Sequence, residues 1–213
     1  GIRDRSPSRG LGDVYKRQIL SKSNIKNQFI SVDLENFKNK ITEGYSKAKF
    51  SNMANFYNSL LLAKNENADL IYFVEDDYLH THGAITEMIY SYEKFYSIFS
   101  DEVILLPADY PYLYTKDDNT KIYLGEKSHW RLVSESLVTF MTSKSLIEKN
   151  FSDLERMGIE WVDPWEKPLH KIYEKNPCLS PVPSLAVHCA NINSVFGVSP
   201  FMNLKDLWDN TKI

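Results

Sequence analysis

Ala68-Asp69-Leu70-Ile71-Tyr72-Phe73-Val74-Glu75-Asp76-Asp77-Tyr78-Leu79 decides how this chain folds. Leu70 to Val74 is a continuous apolar, β-rich run, the pattern of a strand buried on both faces of a parallel sheet covered by helices. Three adjacent carboxylates cannot follow it inside, because burying them unpaired costs more than one strand's burial offsets. Glu75, Asp76 and Asp77 are therefore expected at the carboxyl end of the strand, where open α/β sheets bind ligands. Their chemistry points to a cation and to an anionic group held by it.

Upstream, Gln28 to Val32 reads as a strand and Glu35 to Lys47 as a polar connection. Ser51 is placed to cap a helix whose apolar positions Met53, Phe56, Tyr57, Leu60 and Leu61 recur at helical spacing. Beyond the acids, Thr81 is placed to cap a second helix with Ile85, Met88, Ile89, Tyr92, Tyr96 and Phe99 on one face, and Val103 to Pro107 follows as another buried strand. Alternating strands and helices predict an α/β fold with a mixed, mainly parallel sheet flanked by helices.

The second half is less regular. Asp109 to Asn119 reads as a long functional loop, Trp130 to Val133 and Leu137 to Met141 as strands, and Thr142 to Ile147 as a capped helix start. Leu185 to His188 reads as a further strand and Leu204 to Trp208 as a last short helix. No linker divides residues 19–213, which are expected to form a single domain.

At 213 residues, 43% hydrophobic and 13% aromatic, the chain is long enough for one full core. A net charge of −3 gives no basic face for a nucleic acid, which excludes a general nucleic-acid binder. The two cysteines, Cys178 and Cys189, form neither a disulfide framework nor a CxxC pair, and a reducing cytoplasm is the expectation. No apolar run reaches the ~20 residues of a membrane span, so a soluble protein, or one peripheral to a membrane, is expected.

Residues 1–18 (GIRDRSPSRGLGDVYKRQ) stand apart, with five Lys/Arg, two Asp and no apolar periodicity. They resemble the translated sequencing-adaptor tail found at broken ends of metagenomic reading frames, and are set aside from fold reasoning. Without them the balance is 20 basic (25 less 5) against 26 acidic (28 less 2), a more acidic body than the whole chain suggests. A basic tail that meets anionic lipid is the alternative reading. The adaptor reading carries the expectation that the natural protein began further upstream and that its first strand or strands are missing.

The strand ending in Glu75-Asp76-Asp77, followed far downstream by Pro183-Ser184-Leu185-Ala186-Val187-His188 and Ser194-Val195-Phe196-Gly197, resembles the GT-A fold of nucleotide-sugar glycosyltransferases, nearest to family 2-like members. The likeness covers roughly residues 28–200 by pattern rather than by one motif. It implies a hexosyltransferase-type enzyme that moves a sugar from a nucleotide-sugar donor to a hydroxyl of a glycan or other acceptor. It implies a divalent metal, Mn²⁺ or Mg²⁺, held by Asp77 and His188, with Glu75 and Asp76 around the nucleotide diphosphate. Glu75 stands where that family more often has Asp.

Such a metal neutralises the charge that develops on a departing diphosphate, and an imidazole ligand suits Mn²⁺ better than Mg²⁺. An acceptor hydroxyl must also lose a proton, for which the resemblance implies Asp163, in a Trp-rich segment before His188, with Glu135 as competitor. Both acids read equally well as surface carboxylates, Asp163 also as a helix cap, and Trp130, Trp161 and Trp165 as core. His80 and His82 read as surface loop histidines. Two other readings stay open: a sugar nucleotidyltransferase, and a non-catalytic carbohydrate-binding or scaffold domain.

Overall fold

The computed structural model describes residues 26–115, 117, 119–189 and 192–210. The expectation for residues 1–18 therefore lies outside the described residues. Among the described residues there are eight strands, β1 (Leu70–Phe73), β2 (Tyr78–His80), β3 (Ile104–Leu105), β4 (Ile122–Leu124), β5 (His129–Leu132), β6 (Phe140–Ser143), β7 (Cys178–Val182) and β8 (Ala186–His188). Six α-helices accompany them, α1 (Lys47–Asn65), α2 (Ala84–Phe99), α3 (Lys144–Lys149), α4 (Phe151–Ile159), α5 (Lys167–Tyr173) and α6 (Leu204–Asn210). The fold is α/β, and no helix among the described residues is long and apolar enough to cross a membrane.

Six strands form one sheet in the order β1-β6-β3-β7-β5-β4, while β2 and β8 form a separate two-stranded ribbon. The expected mainly parallel sheet is corrected here. Only β3 and β7 run parallel; β1–β6, β3–β6, β5–β7 and β4–β5 are antiparallel. Nor is β1 central: it is an edge strand whose first three residues are half-buried. Val74, read as its last buried residue, is exposed.

Successive strand residues point to opposite faces, and the core divides accordingly. Ile104, Phe140 and Cys178 join residues of α1, α3, α4 and α5 on one face, whereas Leu105, Met141 and Leu179 join α2 and Trp130 on the other. Helix α1 begins after Ser46, whose Oγ accepts from Lys49 N–H, and not after Ser51, which lies inside it. Met53, Phe56, Tyr57 and Leu60 are buried as their spacing predicts. Residues 28–32 do not form a strand; Phe29 and Ile30 are exposed.

The face of α2 differs from its sequence reading. Met88 and Tyr92 are buried, but their buried companions are Ala84, Glu87, Ser91 and Phe95, while Ile85, Ile89 and Tyr96 are exposed. The cause is Glu87, whose carboxylate accepts from the backbone N–H groups of Lys127 and Ser128 and from Trp130 Nε1. A buried carboxylate supplied with donors is stable, and here it turns the helix toward the loop that precedes β5. Its N-cap is Gly83, with Thr81 C=O accepting from Ala84 N–H.

Helices α1 and α4 meet where Gly158 faces Tyr57, and a β-carbon at Gly158 would lie 2.6 Å from Tyr57 Cβ. Gly158→Ala is expected to destabilise the fold by about 1–3 kcal/mol through overpacking, although alanine is the better helix former by about 1 kcal/mol. Thermal unfolding checks this; an unchanged or raised Tm would mean that the two helices part without cost.

Candidate metal centre

Strand β1 stops at Phe73, and the chain is then held by its neighbours. Glu75 N–H donates to the buried Thr139 Oγ1 at 3.1 Å, and the same hydroxyl lies 3.4 Å from Glu75 Oε2. Two residues on, Asp77 C=O accepts from Cys189 N–H at 2.7 Å, which starts the β2–β8 ribbon. Its register sets Tyr78 opposite His188. Asp77 and His188, remote in sequence, are thereby brought side by side, with His188 Nε2 3.1 Å from Asp77 Oδ2.

Ligand atoms of Glu75, Asp77 and His188 all lie within 4.8 Å of one another. His188 is buried, its ring stacked on Tyr78 with centroids 4.9 Å apart, and the Tyr78 hydroxyl is 2.5 Å from that of Tyr110. Two buried polar atoms, Asp77 Oδ1 and His188 Nδ1, have no hydrogen-bond partner. Among the described residues, no Lys or Arg forms an ion pair with Glu75 or Asp77. Two close carboxylates without a cation are costly. The donor set, two carboxylates and one imidazole, fits a divalent cation and suits Mn²⁺.

Glu75 has an open edge toward solvent, yet protein atoms crowd its carboxyl. That desolvation, followed by the charge of Asp77, raises it above the ordinary carboxylate range, with His188 and Thr139 acting in the opposite direction. Burial also raises the Tyr78 and Tyr110 hydroxyls, which stay protonated and can donate. A cleft of about 610 Å³ opens beside the three ligands, lined by Asn52, Asn55 and Ser59 of α1, by Phe56 and Trp165, and by Glu75, Asp76 and Asp77. Its lining combines apolar and aromatic side chains with amides and a hydroxyl, as small-molecule sites do.

Of the residues singled out in the sequence, Glu75, Asp77 and His188 come together, and Asp76 is exposed on the rim of the cleft. Glu75 is thus grouped with the metal-ligand atoms, beyond its expected place at the diphosphate. Asp163 and Glu135 stand outside the group: Asp163 is exposed in the turn before α5, and half-buried Glu135 lies where its charge acts on Tyr112. Trp130 is wholly buried core, whereas Trp165 lines the cleft and stacks on Trp161 at 5.2 Å. His80 is no surface loop residue; it ends β2, half-buried, 2.6 Å from the Tyr72 hydroxyl.

Glu166 was not singled out in the sequence. It sits half-buried immediately before α5, its carboxyl raised by burial, and its charge acts on both Glu75 and Tyr112. The available signal was an acid just ahead of a Lys-Pro helix start, an ordinary surface pattern. Thr139, which fixes Glu75, carries no sequence signal at all. Set against protein-family models, curated proteins and solved structures, the chain matches none.

The raised carboxyl of Glu75 has a measurable sign. The folded chain keeps this proton to higher pH than the unfolded chain, so stability falls as pH rises from the unfolded value through the folded one. Glu75→Gln is therefore expected to be more stable than the parent at pH 7 in the presence of a chelator, and equal to it below about pH 4. Urea unfolding at the two pH values checks this. A variant less stable at pH 7 would mean that the carboxylate is compensated rather than crowded.

Proposed function

We propose that the chain is a metal-dependent glycosyltransferase domain that transfers a sugar from a nucleotide-sugar donor to an acceptor hydroxyl. The observation that carries this reading is the convergence of Glu75, Asp77 and His188 at the end of an apolar strand, with two buried ligand atoms unpartnered, beside a cleft of nucleotide size. Asp77 and His188 would hold Mn²⁺ or Mg²⁺, with Glu75 as third ligand or ribose contact and Asp76 at the diphosphate. Bound there, the cation would neutralise charge on the leaving diphosphate.

The finer fold reading is GT-A. In it an acidic cluster follows a strand of the sheet, as Glu75, Asp76 and Asp77 follow β1. For the general base, Glu166 has better support than Asp163 or Glu135, being half-buried and within electrostatic reach of Glu75. A carboxyl whose proton affinity is raised by burial is a better base than a solvated one.

Metal ligands bind deprotonated, and the Glu75 carboxyl is raised above its ordinary range by desolvation, so Mn²⁺ binding should strengthen as pH rises toward neutrality. Calorimetric titration of the full chain with Mn²⁺ in the presence of UDP, then of GDP, tests the proposal. Metal-dependent nucleotide binding is expected, weakened at least 100-fold in Asp77→Ala. Nucleotide binding that needs no metal, or that survives Asp77→Ala unchanged, would contradict it. Sugar binding alone, indifferent to that substitution, would favour a carbohydrate-binding module.

A further inference from the structure

Strand β1 has β6 as its one strand neighbour among the described residues, and its other side is a free sheet edge. Asp69 C=O accepts from Lys144 N–H at 2.9 Å, one residue before the register that sets Leu70 opposite Ser143. Hydrogen-bonded and non-hydrogen-bonded pairs alternate along an antiparallel ladder, so Ile71 bonds to Thr142, while Leu70 and Tyr72 turn their N–H and C=O groups away from β6. Among the described residues, no hydrogen bond reaches those outward backbone groups.

A recess lies on each face of the sheet beside this edge. On the α2 side, a groove of about 900 Å³ adjoins Asp69 and Leu70 and is lined further by Ile89 and Tyr96, both exposed. Its carboxylates are those of Asp69, Glu93, Glu102 and Glu148, with Lys144 as the one basic side chain of the described lining. Lys144 is committed elsewhere, donating to Glu66 C=O at 2.8 Å and lying 3.7 Å from Glu148, and Glu102 accepts from the Tyr92 hydroxyl. Asp69 and Glu93 are exposed and form no ion pair among the described residues. On the α1 side, the cleft beside the metal centre also passes Leu62, Glu66 and Ile71, and its described lining has no Lys or Arg.

A free edge with a recess on either face is the geometry of strand addition, in which main-chain hydrogen bonds hold an extended segment and its alternate side chains enter pockets. The charge of the two recesses selects the occupant. A second copy paired about a two-fold axis would set the same carboxylates against one another, and an acidic segment would meet them too. We infer that the free edge of β1 is a docking site for an extended segment of another protein, one that carries Lys or Arg among apolar residues and binds as an added strand. Its backbone would pair with Leu70 and Tyr72, its apolar side chains would cover Ile89 and Tyr96, and its cationic ones would meet Asp69 and Glu93. The site needs no metal and stands apart from the transferase reading.

Fluorescence polarisation of a labelled octapeptide of alternating Lys and Val, titrated with the full chain in the presence of a chelator, tests this inference. Amide hydrogen exchange is followed residue by residue in the same complex. Binding is expected, with the Leu70 and Tyr72 amides slowed about tenfold or more and those of β4, the opposite edge strand, unchanged. Three changes should each weaken binding about fivefold or more: Glu for Lys in the peptide, N-methylation of its backbone, and the double variant Asp69→Asn/Glu93→Gln. Both substituted positions are exposed, and an unchanged Tm checks that the variant is folded. No binding of the Lys peptide would overturn the site. Equal binding of the N-methylated peptide would overturn it too, by showing adhesion through charge without strand pairing. Leu70 and Tyr72 amides that already exchange slowly in the free chain, as a monomer or as a dimer, would show the edge covered by the chain itself or by a second copy, and would equally overturn it.

Discussion

The proposed function depends on an electrostatic problem at the end of β1. The strand delivers Glu75 and Asp77 into a partly enclosed place with no Lys or Arg paired to either among the described residues. The β2–β8 ribbon then adds a buried imidazole that can meet only one of the four carboxylate oxygens. Two buried acids elsewhere are compensated within the protein. Asp109 is matched by Arg131 at 2.8 Å and by the Tyr114 hydroxyl, and Glu87 by backbone N–H groups. Glu75, exposed, and Asp77, half-buried, have no such partner, and a divalent cation would supply the charge that their group lacks.

The surrounding structure holds that problem in place. Thr139 fixes Glu75 from β6's approach, Cys189 N–H fixes the Asp77 carbonyl, and Tyr78 supports the His188 ring from beneath while bonding to Tyr110. Tyr110 is wholly buried and follows Asp109, whose ion pair with Arg131 ties the end of the β3 segment to β5. Of the three side chains, His188 is thus held in β8, and Glu75 and Asp77 on a short connection pinned between β1 and β2, which limits how far their separation can relax.

The grouping of Asp77 with His188 was more legible in the sequence than the sheet. Three acids after five apolar residues can only emerge at a strand end, and the Pro-Ser-Leu-Ala-Val-His run suggested its histidine. Strand direction was not legible: Leu70 to Val74 looks alike in a parallel interior and at a half-covered antiparallel edge, since periodicity reports burial and not pairing. Pro181 concealed β7, because a strand with neighbours on both sides rarely contains proline. The face of α2 was misread because Glu87 looks like a surface residue until the N–H groups of Lys127 and Ser128 are seen around it. Glu166 and Thr139 matter only through three-dimensional neighbours, which no local pattern announces.

Diffraction from crystals soaked in MnCl₂, with data collected at the manganese absorption edge, addresses the central claim most directly. The account requires an anomalous peak within ligand distance, about 2.0–2.6 Å, of a carboxylate oxygen of Asp77 and a ring nitrogen of His188, with Glu75 adjoining. A lattice that takes up manganese elsewhere while Asp77 and His188 keep their direct 3.1 Å contact would contradict it.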